Sequence, residues 1–232
     1  MPKAIIFDVD GTLAETEDLH RKAFNRAFAE YGLSWHWDRS LYRDLLEVSG
    51  GKERIRHYDD QQIADHLPAA DRDRFIREMH GVKTGIYTQM VAAGEAHLRP
   101  GVRELIESAA ANGLRLAIAT TTSLPNVEAL LGAAFGTRGM DYFEAVCAGD
   151  VVAHKKPAPD IYLMALEELG LAASDCIAIE DSRNGLLSAR QAGIPTIVTP
   201  GIYTRDQDFT EAMLVAASLE GIDVLSTYSE NQ

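Results

Sequence analysis

From about Leu98 onward the chain alternates two textures, and this alternation limits its fold more than any other feature. Short apolar runs read as strands: Leu114-Arg115-Leu116-Ala117-Ile118-Ala119, Ala145-Val146-Cys147, Ile177-Ala178-Ile179 and Thr196-Ile197-Val198. Between them lie segments with helical spacing, at Val102 to Ala111, Asn126 to Leu131, Asp160 to Leu169 and Leu186 to Ala192. Gly113, Gly170 and Gly193 stand where these helices should stop. Nearly continuous apolar strands separated by helices imply a buried parallel sheet, and so an α/β fold. One more strand candidate, Ala4-Ile5-Ile6-Phe7, stands far upstream of the others.

Residues of roughly 16 to 95 read differently. Leu19, Phe24, Phe28 and Tyr31 recur near helical spacing, and further helical stretches follow at Leu41 to Val48, Ile63 to Leu67 and Arg72 to Met90. No strand stands out there. The expected organisation is a core of residues 1–15 and 96–232, interrupted by a helical segment over 16–95. The two crossings fall near Ala14-Glu15-Thr16 and between Gly94 and Pro100. A helical segment inserted beside a strand end suggests a lid over a site.

The first strand runs into Phe7-Asp8-Val9-Asp10-Gly11-Thr12. On an extended chain, residues two apart point the same way, so both carboxylates should leave the strand's C-terminal end. That end is where open α/β sheets bind their ligands. Two like charges held so close call for a cation or a proton, and Mg²⁺ suits oxygen donors. One carboxylate could then attack phosphorus while the other handles the leaving-group proton. D-x-D-G also occurs in calcium loops, and Glu17 is near enough to raise that reading. Calcium loops usually follow a helix, whereas this segment follows an apolar strand.

Composition narrows the function. The formal net charge is −13 and no Lys/Arg-rich stretch is present, which argues against nucleic acid or an anionic membrane as partner. A phosphate ligand would be repelled at long range, so the site must supply local positive charge. No apolar run approaches the roughly 18 residues of a membrane span. A signal peptide's pattern is absent from the N-terminus. The two cysteines, Cys147 and Cys176, lie in or beside strand-like runs and read as buried thiols. A cytoplasmic, reducing location is expected.

Three further segments carry chemistry. Thr120-Thr121-Thr122-Ser123 follows a strand and precedes a helix that includes Asn126. Its hydroxyls and N–H groups suit phosphate oxygens, although such residues also cap helices. His154-Lys155-Lys156-Pro157-Ala158-Pro159-Asp160 is stiff and basic, and a lysine there could reach the strand ends. Glu180-Asp181 ends another strand and could complete an oxygen shell for Mg²⁺, or cap the next helix. Acidic pair, hydroxyl, lysine and acidic pair thus occur in order, three of them at strand ends.

These residues closely resemble the haloacid dehalogenase superfamily of phosphatases and mutases, over essentially the whole chain. The resemblance implies a doubly wound, Rossmann-like core with the Asp8 strand in the middle and a helical cap. Within the superfamily, Phe7 to Glu17 with His20, Ser49-Gly50-Gly51-Lys52-Glu53-Arg54-Ile55, Thr120 to Asn126 and Pro200-Gly201-Ile202-Tyr203-Thr204-Arg205 look like the CbbY subfamily. Members of that subfamily remove the 1-phosphate of xylulose-1,5-bisphosphate, an inhibitor formed by Rubisco. A functional link to Rubisco is implied, without direct binding, and a monomer is expected.

The resemblance also implies roles. Asp8 would be the nucleophile and Asp10 the acid and base, with Thr120 and Lys156 neutralising phosphoryl oxygens. Thr121, Thr122, Ser123 and Asn126 would join the phosphate site. Mg²⁺ would be held by Asp8, the Asp10 backbone carbonyl, Glu180 and Asp181. Sugar and distal-phosphate contacts would come from Glu17, His20, Gly50, Gly51, Lys52, Arg54 and Lys83. The rival readings are a β-phosphoglucomutase-like mutase, a broad sugar-phosphate or phosphoglycolate phosphatase, and a phospho-receiver or silent regulatory domain.

Overall fold

The structure, a computed structural model, describes residues 1–62, 67 and 69–230. Strands β1 (Ala4–Phe7), β2 (Arg115–Thr120), β3 (Ala145–Ala148), β4 (Cys176–Glu180), β5 (Thr196–Val198) and β6 (Leu214–Val215) form one sheet. The order is β3-β2-β1-β4-β5-β6, every pairing is parallel, and β1 lies inside. This is the expected α/β doubly wound architecture. The sequence reading missed β6, a two-residue, partly exposed strand too short to show a period.

Alternation along the strands builds two cores. Ile5 and Phe7 of β1, with Ile118, Ile177 and Ile179, pack against α5 (Val102–Ala111), α6 (Leu124–Phe135) and α9 (Val224–Glu230). Ala4 and Ile6, with Ala117, Ala119 and Ala178, face α7 (Asp160–Leu169) and α8 (Arg183–Gln191). The alanines of the second face let Tyr162 of α7 lie fully buried over the sheet. Cys147 and Cys176 are buried and free, and burial pushes their thiols up to about 12 and about 11.

The segment between β1 and α5 contains α1 (Glu17–Glu30), α2 (Arg39–Leu45), α3 (Gly51–Asp60) and α4 (Arg72–Ala92). The helical stretch expected at Ile63 to Leu67 falls mostly outside the described residues; Leu67 itself is buried. The helices share an aromatic core of their own. Phe28 meets Trp35 and Trp37 edge-on at 5.4 and 4.8 Å, and Trp37 also packs on Phe24 at 4.7 Å. The two crossings run side by side: Ala14 pairs with Leu98 in an antiparallel bridge, and the Arg99 N–H donates to Leu13 O at 2.9 Å. Among the described residues, no helix is long and apolar enough to cross a membrane.

Candidate active site

All the chemical segments meet at the C-terminal end of the sheet. A cavity of about 310 Å³ is bordered by Asp8, Asp10, Thr120, Lys156 and Asp181 on the sheet side. Glu17, His20, Gly50, Gly51, Lys52, Arg54 and Lys83 border it on the helical side. Glu180 is fully buried just beneath.

Asp8 directly follows β1, and its N–H donates to Ile179 O at 3.0 Å, so the sheet fixes its backbone. The Lys156 ammonium donates to Asp8 Oδ1 at 2.7 Å and to Glu180 Oε1 at 2.6 Å. Tyr162 OH donates to the same Glu180 oxygen at 2.7 Å. Glu180 Oε2 accepts from the Asp181 N–H at 3.2 Å, so both of its oxygens are engaged by the protein.

Asp8, Glu180 and Asp181 offer carboxylate oxygens that lie within 4.8 Å of one another. Two of these acids, Asp8 and Glu180, share the one Lys156 ammonium. Among the described residues, the Asp181 carboxylate accepts only from the Thr204 hydroxyl, at 3.2 Å. Burial pushes Asp8 up to about 7; Lys156 opposes the rise and Glu180 adds to it. Burial, with the Asp8 and Glu180 charges, raises Asp181 well above the usual carboxylate range. Burial alone would lower Lys156, but Asp8 and Glu180 together hold it firmly charged. A hard divalent cation would relieve this excess of negative charge, and the all-oxygen donor set fits one. Gly11, at φ 81°, makes room for the cluster, because a side chain there would collide with the Asp181 carboxylate.

Asp10 borders the cavity beside Asp8, as expected, though not through strand geometry. β1 ends at Phe7, so the rule that side chains two apart point the same way does not carry to Asp10. Both carboxylates border the cavity, but with separate partners. Asp10 Oδ1 accepts from Thr16 Oγ1 at 2.5 Å and lies 2.8 Å from His20 Nε2. Lys83 Nζ lies 2.6 Å from His20 Nδ1, and a charged lysine can only donate. Nδ1 is therefore the acceptor, and Nε2–H donates to Asp10. Burial works to raise Asp10, yet the His20 contact, the Thr16 hydrogen bond and Lys83 outweigh it and hold the carboxyl well below its usual range. Burial lowers Lys83 to about 8. Tyr87 stacks on His20 at 4.1 Å and keeps the ring in place.

Thr120 ends β2, and Thr121 to Ser123 lead into α6, whose first turn holds Pro125. Asn126 Nδ2 donates to Thr122 Oγ1 at 2.9 Å, while Asn126 Oδ1 and Ser123 Oγ are buried without a partner. Such unpaired atoms beside a cavity are expected where a ligand supplies the missing bonds.

On the helical side, Tyr42 OH donates to Glu17 Oε2 at 2.8 Å. Arg54 spends N–H groups on Leu45 O, Val48 O and Tyr42 OH, at 3.0, 3.2 and 3.1 Å. It borders the cavity, but its guanidinium is largely committed to the turn before α3. Lys52 instead pairs with Asp150, across the mouth.

Sequence reading missed Thr16, Tyr42, His80, Arg99, Asp150, Lys155 and Tyr162. His80 faces Gly51 and borders the cavity, and burial with the nearby Lys83 and Lys52 lowers it to about 3. Arg99 threads under the site and donates to Gly11 O, Thr199 O and Pro200 O. Only Lys155 carried a local signal, its place beside Lys156 before Pro157.

Comparison with known proteins agrees with the geometry. Residues 2–193 match the model of the haloacid dehalogenase-like hydrolases. Protein CbbY of Rhodobacter capsulatus is 52% identical over 210 residues, 90% of each chain. The crystal structure of CbbY from Rhodobacter sphaeroides in complex with phosphate superposes with a TM-score of 0.93 and 48% identity, covering 99% of this chain and 100% of that one. A mutant of that CbbY in complex with xylulose-(1,5)bisphosphate gives the same TM-score and identity over 98% of this chain and 99% of its own. The chain belongs to the haloacid dehalogenase-like hydrolases, and its site is that of a phosphatase. Within that class it is a member of the CbbY subfamily.

Proposed function

We propose that this phosphatase is Mg²⁺-dependent and removes the 1-phosphate of xylulose-1,5-bisphosphate, leaving xylulose 5-phosphate. The observation that carries this reading is a single cavity with the Asp8 cluster at one end and Lys52 on the facing helical side. The xylulose-(1,5)bisphosphate complex of the 48% identical CbbY supports the choice of substrate. Residues 16–95 act as the cap that selects it, and the product is no longer the Rubisco inhibitor.

In the first step an Asp8 carboxylate oxygen attacks phosphorus in line, and the bond from phosphorus to the sugar C1 oxygen breaks. Asp10 gives its proton to the departing oxygen, leaving an aspartyl-phosphate. In the second step Asp10 takes a proton from water, and the resulting hydroxide attacks phosphorus. Inorganic phosphate leaves and Asp8 is regenerated. His20, Thr16 and Lys83 hold Asp10 as the carboxylate, the form the second step needs, so it must gain a proton before it can serve as the acid of the first step. The hydrogen-bonded line from Lys83 through His20 is placed to pass one to it. Lys156 and Thr120 counter the charge on the phosphoryl oxygens. Asp8, Asp181 and the Asp10 carbonyl would hold Mg²⁺, with Glu180 chiefly fixing Lys156. The ion would neutralise the carboxylates and the charge building on phosphorus.

The test is ³¹P NMR of the purified protein with Mg²⁺ and xylulose-1,5-bisphosphate. The expected result is one equivalent of inorganic phosphate and one of xylulose 5-phosphate. Conversion of β-glucose-1-phosphate to glucose-6-phosphate without net phosphate release would instead assign a mutase.

A further inference from the structure

Four charges meet at the mouth of the cavity, two from each side. Lys52 and Glu53 lie on the first turn of α3. Asp150 follows β3, and Lys155 lies in the loop before α7. Lys52 pairs with Asp150 Oδ2. Lys155 Nζ lies 2.6 Å from Asp150 Oδ1 and 2.8 Å from Glu53 Oε2. Lys155 also lies across Gly50, where a side chain would run into its stem. Hydrogen bonds from Lys155 and Lys52 outweigh burial and hold the Asp150 carboxyl down at about 2, so it is fully ionised.

Two lysines and two carboxylates leave the mouth neutral. Lys52 has one strong partner, and that partner belongs to the protein. A phosphate dianion arriving there either adds charge to a neutral cluster or takes the place of Asp150. Replacement is the cheaper course. The Asp150 side chain is 48% exposed and can turn into water, whereas Lys155 is only 14% exposed and has no such escape. A phosphate carries more charge and more acceptor oxygens than the carboxylate it displaces. A ligand without a second anionic group gains nothing from this exchange.

We propose that Asp150 is a specificity-determining residue, which occupies Lys52 and Lys155 at the cavity mouth and yields them to the second phosphate of a bisphosphate. This inference rests on the reading of the cavity as a sugar-bisphosphate site. Asp150 thereby acts as an internal competitor: it keeps the lysines ordered between turnovers and makes their release conditional on the distal anion.

The experiment compares kcat and KM for xylulose-1,5-bisphosphate and xylulose 1-phosphate in wild type and Asp150→Asn. The amide keeps the shape and removes the competing charge. The ratio of kcat/KM, bisphosphate over monophosphate, should rise about threefold or more, through KM for the bisphosphate and not through kcat. Asp150→Glu should restore the wild-type ratio, and in the double variant Lys52→Ala with Asp150→Asn the gain should vanish. An unchanged or lower ratio in a folded Asp150→Asn, checked by its melting curve, would overturn the proposal. So would a gain that survives the loss of Lys52. Wild type that releases phosphate from neither sugar would overturn the proposed function itself, a separate result.

Discussion

The two sides of the cavity hold their charges differently. At the sheet end, Lys156 is buried, and its two carboxylate partners, Asp8 and Glu180, come from adjacent strand ends. Their positions are fixed by backbone that cannot shift without breaking the parallel ladder. Across the cavity, Lys52 and Glu53 reach from a helix to partners that are half-exposed or on loops. The first arrangement suits chemistry, which needs fixed atoms in a dry setting. The second suits recognition, which needs partners that a ligand can replace. Asp10 stands between them, anchored by the chain after β1 but hydrogen-bonded to Thr16 and to His20 of α1. Its placement ties the proposed proton-transfer group to the helical side.

The sharpest attempt to break this contrast is Asp8→Asn. Turnover should fall by about 10³-fold or more, since Asp8 is the proposed nucleophile. The fold should persist, because the substitution keeps the shape and removes one charge from a crowded acidic cluster. A melting curve beside the phosphate assay checks both. Full activity would remove Asp8 from the chemistry.

Lys156→Ala is the next test, and here stability should suffer as well as rate. Deleting one partner of a buried ion pair leaves the others uncompensated, which costs about 3–5 kcal/mol. Added Mg²⁺ should recover part of that loss in the melting temperature, because it supplies positive charge to the same carboxylates. A variant as stable as wild type without Mg²⁺ would mean that the sheet-end cluster is not the strained, cation-seeking group described above.

Lys52→Ala should show the smallest effect and the most selective one. Exposed ion pairs contribute only about 0–1 kcal/mol to stability, so the melting temperature should barely move. The KM for the bisphosphate should rise about tenfold, while a small aryl phosphate should be turned over almost as before. Equal losses on both would place Lys52 outside distal-phosphate recognition.

Much of this organisation is legible from sequence, for identifiable reasons. Strands β1 to β5 announce themselves as apolar runs, and residues at strand ends are fixed relative to one another once the sheet is inferred. That is why Asp8, Thr120, Glu180 and Asp181 can be gathered from three distant segments, while Lys156, in the loop before α7, is marked by its stiff, basic surroundings before Pro157. α3 was not recognised as a helix, because it opens on Gly50-Gly51 and is largely polar. Asp10 borders the cavity as expected, but its partners Thr16 and His20 lie beyond the strand, where the alternation along β1 says nothing. Pairings such as Lys52 with Asp150 and Lys155 with Glu53 join residues 98 and 102 positions apart on different elements. No local pattern encodes them. The resemblance and its charge make Arg54 a candidate ligand, and only its backbone carbonyl partners show how much of it is structural.

The central claim is that a general phosphoryl-transfer centre is made selective by the helical side facing it. The most direct measurement is Mg²⁺-dependent phosphate release, comparing kcat/KM for xylulose-1,5-bisphosphate and ribulose-1,5-bisphosphate, which differ at one stereocentre. The account predicts a preference for the xylulose compound of about a hundredfold or more, roughly 2.7 kcal/mol. Equal kcat/KM for the two would contradict it, leaving the Asp8 chemistry in place but assigning the cavity to a broad sugar phosphatase.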